Sequence, residues 1–258
     1  MRVSKYNASG NDFVIFHTFY SEDRGALARR LCDRHEGVGA DGLIVLKPRE
    51  NGLVWEFYNN DGSVAEMCGN GSRAAIAYAY DNGLCGKSVN LLTISGEIEA
   101  NVLKRLASTG LAGSADTVVE VALTKPSLIK AEFADEDRIW MLADTGVPHL
   151  VSFCEDLGEF SVELARKMRH KFNANVNYAS LKDGKLYVRT YERGVENETM
   201  ACGTGMAACF YVANLNGTLS DSCAVYPKSG EELGLRLENG RIYFKGAVSH
   251  CFDAFINL

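Results

Sequence analysis

At 258 residues, with 47% hydrophobic and 23% charged residues, the chain has an ordinary globular composition that excludes disordered and fibrous architectures. It is long enough to bury one large core or two smaller ones. The formal net charge of −6, from 27 basic and 33 acidic residues, comes without a Lys/Arg-rich run, so nucleic acid is excluded as a partner class.

No stretch approaches the roughly 20 apolar residues that span a bilayer, and Met1 to Gly10 lack the apolar core of a signal peptide. A cytoplasmic protein with no membrane partner is expected. In chain order, Phe13-Val-Ile-Phe16 reads as a short buried strand, Ala26 to Cys32 has helical spacing, and Gly42-Leu-Ile-Val-Leu46 is a second buried strand. Leu53 to Tyr58 follows as a strand closed by the turn Asn59-Asn-Asp-Gly62. The Gly/Ser-rich stretch 108–115 is the expected domain boundary, and Val118 to Leu123 resumes strand-like patterning beyond it.

An internal echo is the most informative feature. Met67 to Ala75 and Ala201 to Ala208 each carry Cys-Gly-x-Gly followed by an Ala-Ala step, with the cysteines 134 residues apart. A fainter echo pairs Asn7-Ala-Ser-Gly-Asn11 with Asn173-Ala-Asn-Val-Asn177. Two copies of one domain account for this better than a solenoid. The run after each motif, Ser72 to Tyr80 and Met206 to Ala213, is helix-compatible, so each cysteine is expected at a helix N-terminus. There the dipole and the first-turn N–H groups favour a thiolate, lowering the thiol from its free value of about 8.5, and cradle a carboxylate.

A base beside an anion hole suits removal of the proton next to a carboxylate. Two such thiols facing one carbon could invert it. The other cysteines, Cys32, Cys85, Cys154, Cys209, Cys223 and Cys251, have no glycine turn and are expected to be core packing. In a reducing compartment the even count does not imply a disulfide framework, and no Cys/His spacing suggests a structural metal.

At these residues the chain resembles the diaminopimelate epimerase family nearly end to end. The likeness is carried by Gly10-Asn-Asp-Phe13, Gly37-Val-Gly-Ala-Asp-Gly42, Asn59-Asn-Asp-Gly-Ser63 with Cys68-Gly-Asn-Gly71, Tyr191 to Thr199, and Ala201-Cys-Gly-Thr-Gly205. The resemblance implies an α/β (α+β) fold of two pseudo-symmetric domains, each a β-barrel-like sheet around a central helix, with the active site in the cleft between them. Expected bounds are 1–114 with 247–258 for the first domain and 115–246 for the second.

It further implies a cofactor-independent, metal-free isomerase that interconverts LL- and meso-diaminopimelate for lysine and peptidoglycan synthesis. By the same resemblance Cys68 and Cys202 are the acid/base pair. Gly69, Asn70, Gly203 and Thr204 hold the reacting carboxylate, Glu192 and Arg193 take the distal amino-acid head, and Asn11, Asn59 and Asn177 hydrogen-bond the substrate. His149 matches a family position near the site, although a lone histidine after a proline is more often structural. Val147 stands where many members carry Asn, and Gly42 where some carry Gln.

Three other readings compete: a racemase of proline or of another polar amino acid on the same scaffold, a non-catalytic amino-acid-binding protein, and a thiol redox protein in which Cys68 and Cys202 oxidise together. A receptor for a second amino-acid head disfavours the proline racemase. The oligomeric state stays open, a homodimer included.

Overall fold

The computed structural model describes residues 1–106 and 116–257. The chain divides into two units, Met1–Val121 with Gly246–Leu258, and Ala122–Lys245. The stretch 108–115, expected to carry the boundary, lies outside the described residues.

The first unit contains β1 (Arg2–Ala8), β2 (Asn11–His17), α1 (Gly25–Cys32), β3 (Gly42–Arg49), β4 (Gly52–Asn59), α2 (Gly69–Asp81), β5 (Ser88–Thr93), β6 (Gly96–Arg105) and β7 (Thr117–Ala122). These strands pair in sequence order. The pairs β2–β3 and β4–β5 are parallel and each is bridged by a helix, while the remaining pairs are antiparallel. Leu43 to Leu46 of β3 are buried on both faces, as expected of a strand with a parallel neighbour and helix cover.

The second unit contains β8 (Ser127–Asp135), β9 (Arg138–Asp144), β10 (Pro148–Phe153), α3 (Val162–Phe172), β11 (Asn175–Lys182), β12 (Lys185–Glu192), β13 (Asn197–Thr199), α4 (Gly203–Leu215), β14 (Ser222–Tyr226) and β15 (Leu233–Glu238). The last strand, β16 (Arg241–Phe255), serves both units. Arg241–Lys245 pairs with β15, and Ser249–Phe255 pairs with β1. In the second unit the helix-bridged parallel pairs are β10–β11 and β12–β14.

The run strand, strand, helix, strand, strand, helix, strand, strand therefore occurs once from β1 and again from β9, where the short β13 is added before α4. This is the repeat that the cysteine motifs announce. The fainter echo is not part of it. Asn7 to Asn11 forms the β1–β2 hairpin, whereas Asn173 to Asn177 leaves the end of α3 and enters β11. The topological partner of that hairpin is the β9–β10 turn at Asp144 to Pro148. The asparagines do different things in the two segments: Asn173 is the left-handed C-cap of α3 (φ 49°), whereas Asn7 lies in β1 and its Oδ1 accepts from Gly10 N at 3.2 Å.

In each unit the sheet curves around one helix. Every residue of α2 from Gly69 to Ala79 is buried, and the helix packs on β1, β2, β3 and β6. Likewise α4 is buried from Gly205 to Phe210 and packs on β9 to β12. Helices buried on nearly every side have no solvent face to offer. By contrast α1 and α3 are amphipathic and lie on the outside. Ser161 caps α3 by accepting from Leu164 N at 3.2 Å, and Arg169, His170 and Lys171 occupy its last turn.

The remaining cysteines depart in part from the expected core packing. Cys32 and Cys209 are buried, but Cys85, Cys154, Cys223 and Cys251 are only half-buried. Burial nevertheless pushes these thiols up, to about 12 for Cys32 and Cys223 and about 11 for Cys85, which favours the protonated form near neutral pH.

Candidate active site

In the first unit β4 delivers the chain to a closed turn. Asn59 N donates to Ser63 O (2.8 Å), Gly62 N to Asn59 O (2.9 Å), and Asn59 Nδ2 to Ser63 Oγ (3.0 Å). Five residues later Cys68 sits in extended conformation (φ −150°, ψ 118°) as the N-cap of α2. Its sulfur accepts from Gly71 N at 3.3 Å, in the role usually taken by a serine or aspartate oxygen. An N–H aimed at the sulfur favours the thiolate over the thiol. The amides of Gly69 and Asn70 belong to the first turn, where no intrahelical acceptor exists.

Asn11, at the start of β2, reaches the same place. Its Oδ1 lies 3.4 Å from Asn70 Nδ2 and 3.9 Å from Cys68 Sγ, while its Nδ2 donates to Asp41 Oδ2 at 2.6 Å. Asn70 is held from the other side by Arg73, which is fully buried. Arg73 Nη2 donates to Asn70 Oδ1 and to Ser9 Oγ, both at 2.8 Å.

In the second unit Cys202 has the same N-cap backbone (φ −123°, ψ 107°) before α4. Here the sulfur stands 3.5 Å from Thr204 Oγ1, and Thr204 O accepts from Thr145 Oγ1 at 2.9 Å. Neither glycine has free space for a side chain, and Gly205 is the tighter of the two. A Cβ on Gly203 would come within 3.1 Å of the Phe244 ring, and one on Gly205 within 2.4 Å of Asn177 Oδ1.

Asn177 is fully buried. It donates to Leu150 O (2.8 Å) and His149 Nδ1 (3.1 Å) and accepts from Thr190 Oγ1 (2.9 Å). Asn175 Nδ2 faces the other ring nitrogen of His149, and Asn175 Oδ1 takes the backbone N–H of Arg193 at 2.7 Å. An imidazole flanked by two amide NH2 groups and closed off from water has no place for a positive charge. Burial, reinforced by Arg193 and only partly opposed by Asn177, moves His149 down to about 3. Glu192 ends β12, and burial raises its carboxyl against the pull of Thr199. The Arg193 guanidinium donates to Asn173 O at 2.9 Å.

The sequence profile of the diaminopimelate epimerase family matches residues 3–118 and 141–250. A diaminopimelate epimerase of Nitratiruptor sp. is 53% identical over 99% of this chain and 98% of its own length. Those of Campylobacter jejuni (49%, 100% and 99%) and Helicobacter pylori (40%, 95% and 93%) are similar throughout. The chain belongs to the diaminopimelate epimerase family.

Membership makes the chain an isomerase. Among solved structures the fold resembles that of a Bacillus anthracis phenazine biosynthesis protein of the PhzF family, with TM-score 0.74, 14% identity, and coverage of 100% of this chain and 99% of that one. It also resembles an Agrobacterium vitis hydroxyproline epimerase, with TM-score 0.72, 14% identity, and coverage of 98% and 90%.

The backbone at Gly42 is closely surrounded. A Cβ on Gly42 would meet Phe57 Cε2 at 2.6 Å and Tyr58 O at 2.8 Å, so a longer side chain there would need β4 to move. Val147 keeps a backbone role, its carbonyl accepting from Thr145 N at 3.3 Å. Sequence reasoning missed Arg73, Asp41, Arg34 and Asn175. The signal for Arg73 was present: one arginine at the head of the Ala-rich run Ala74-Ala-Ile-Ala77.

Proposed function

We propose that the chain interconverts LL- and meso-diaminopimelate by two-base chemistry without a cofactor, using Cys68 and Cys202 as the two bases. One thiolate takes the α-proton and becomes a thiol, leaving its bonding pair on the α-carbon and the adjoining carboxylate. The second thiol gives its proton to the opposite face of that carbon and becomes a thiolate. Protons and charge balance, and the reverse reaction exchanges the roles.

The observation that carries this is the pair of N-caps, each a cysteine at the head of a buried helix within a Cys-Gly-x-Gly turn. The first-turn amides at Gly69, Asn70, Gly203 and Thr204 suit the carboxylate on which charge develops. Arg193 suits the distal carboxylate and Glu192 the distal ammonium, whose charge would offset the cost of burying that carboxyl. Asn11, Asn59 and Asn177 complete the assignment as hydrogen-bonding residues. No helix among the described residues is long and apolar enough to cross a membrane. A reducing cytoplasm would keep both thiols available and place the reaction in lysine and peptidoglycan precursor synthesis.

Cys68→Ala and Cys202→Ala, made separately, should each lower epimerisation of LL-diaminopimelate by at least about 1,000-fold, since removing a catalytic base forfeits most of its contribution. Uptake of deuterium from D₂O at the α-carbon reads the chemistry directly. Near wild-type turnover in either variant sinks the two-base scheme, and faster turnover of a monoamino acid than of diaminopimelate sinks the substrate.

A further inference from the structure

We propose that Asp41, clamped by Arg34, is a positioning residue for Cys68: it fixes the Asn11 amide so that oxygen, not NH2, faces the sulfur. The inference rests on the catalytic role assigned to Cys68 above.

The two ends of an asparagine amide are nearly the same size, and only their partners decide which way it points. Asp41 Oδ2 is acceptor-only, so it takes the Asn11 NH2 at 2.6 Å and turns Asn11 Oδ1 toward Asn70 Nδ2 and Cys68 Sγ. Arg73 is donor-only and sets Asn70 from the other end at 2.8 Å. The row Asp41, Asn11, Asn70, Arg73 therefore has one consistent polarity, and reversing either amide sets donor against donor.

Asp41 is itself held. Its Oδ1 accepts from Arg34 Nη2 at 2.8 Å, and Arg34 also grips Asp12 with two bonds of 2.9 and 3.0 Å. Lys5 pairs with the same Asp12 at 2.8 Å, and the Asp41 backbone N–H donates to Asp12 O at 2.9 Å. A continuous chain of side chains thus joins the rim of the first unit to the sulfur. An acceptor beside the sulfur orients the proton while Cys68 is a thiol. An NH2 there, added to the Gly71 N–H already present, would hold the thiolate and blunt its basicity.

Asp41→Asn tests this. Arg34, a charged donor, claims the oxygen of the new amide, because charge-assisted bonds outcompete neutral ones. The NH2 of that amide then opposes the Asn11 NH2 and drives Asn11 to flip. The expected result is a fall in kcat/KM for LL-diaminopimelate of about tenfold or more, on the scale of losing a residue that holds a reacting group in place.

Adding Arg34→Ala should then rescue. With the guanidinium gone, the amide introduced at position 41 can turn its oxygen to Asn11, and D41N/R34A should return to within about threefold of R34A alone. A purely structural role gives no such rescue, because the double variant loses more contacts than the single one. Wild-type kcat/KM in folded D41N, or no recovery in the double variant, overturns the proposal.

Should D41N not accumulate as folded protein, Asp41→Ala leaves Asn11 without its acceptor and adds no competing donor. It is expected to lose activity to a similar degree, and full activity there overturns the proposal equally. Cys68→Ala in the same assay separates the two failures. An active C68A variant removes the proposed mechanism, whereas an inactive C68A beside a fully active D41N removes only the role of Asp41.

Discussion

The strand register allows the ground beneath the two helix starts to be compared residue by residue. Phe13 pairs with Gly42, and Ile44 with Phe57; in the second unit His149 pairs with Asn175, and Asn177 with Thr190. The surroundings of the second glycine in each motif support the match: Gly71 rests on Ile44 and Phe13, and Gly205 on Asn177 and Thr190. One fold therefore carries an apolar trio, Phe13, Ile44 and Phe57, under Cys68 and a polar trio, His149, Asn177 and Thr190, under Cys202.

The polar components are distributed in opposite ways. The first unit keeps its floor apolar and fixes its amides from the rim, through charged Asp41 and Arg34, and from within α2, through Arg73. The second unit sinks a neutral hydrogen-bonded network into the floor and has Ala207 where α2 has Arg73. A repeated scaffold constrains the cap and its glycines. It does not dictate how the cap is held.

The largest expected effect comes from the buried arginine. Arg73→Ala empties a fully buried site and strips Asn70 Oδ1, Ser9 Oγ and Ala247 O of a charged donor. A loss of about 3 kcal/mol or more is expected, because buried partners left unpaired carry their full desolvation cost. The midpoint of urea unfolding measures it. A loss below about 1 kcal/mol would mean that the two helices are held alike after all.

Next is the contrast between the glycines. A Cβ on Gly205 would lie 2.4 Å from Asn177 Oδ1, an oxygen locked by Thr190, whereas one on Gly71 meets only ordinary contacts at 3.4 to 3.5 Å. Gly205→Ala should cost about 1–3 kcal/mol through overpacking. Gly71→Ala should lie within about 1 kcal/mol of wild type, since the added methyl meets no clash and alanine has the better helix propensity. Equal losses on urea unfolding would show that the floor plays no part.

Much of this was legible in the sequence, and what was legible was local. A Cys-Gly-x-Gly turn before an Ala-rich run contains its own N-cap and helix start, so Cys68, Cys202, α2 and α4 could each be placed from one short stretch. The turn at Asn59 to Gly62 and the strands at Phe13, Leu43 and Leu53 were local in the same way. The Asp12–Arg34–Asp41 clamp was not, because its members meet only when β2 and β3 pair in parallel. Nor was the true partner of the Asn7 to Asn11 hairpin, since equivalence between the units lies in strand register and not in residue type. Phe13 and His149 occupy one position of the repeat and share no chemistry.

The last contrast is in acid response. His149 moves down to about 3 in the folded chain, from an ordinary value near 6.5, because the ring is fully buried. The unfolded chain therefore binds this proton at a higher pH than the folded one. The stabilisation is complete above about pH 6.5 and drains away as the pH falls toward 3, by up to about 1.4 kcal/mol per pH unit. Phe13, at the equivalent position of the first unit, adds no such slope. His149→Gln removes the titrating group, so stability between pH 6.5 and about 4 should fall less steeply in the variant even where its absolute value is lower. Parallel stability–pH curves for wild type and variant would mean that the ring takes up its proton without unfolding, and the neutral character of the Cys202 floor would be wrong.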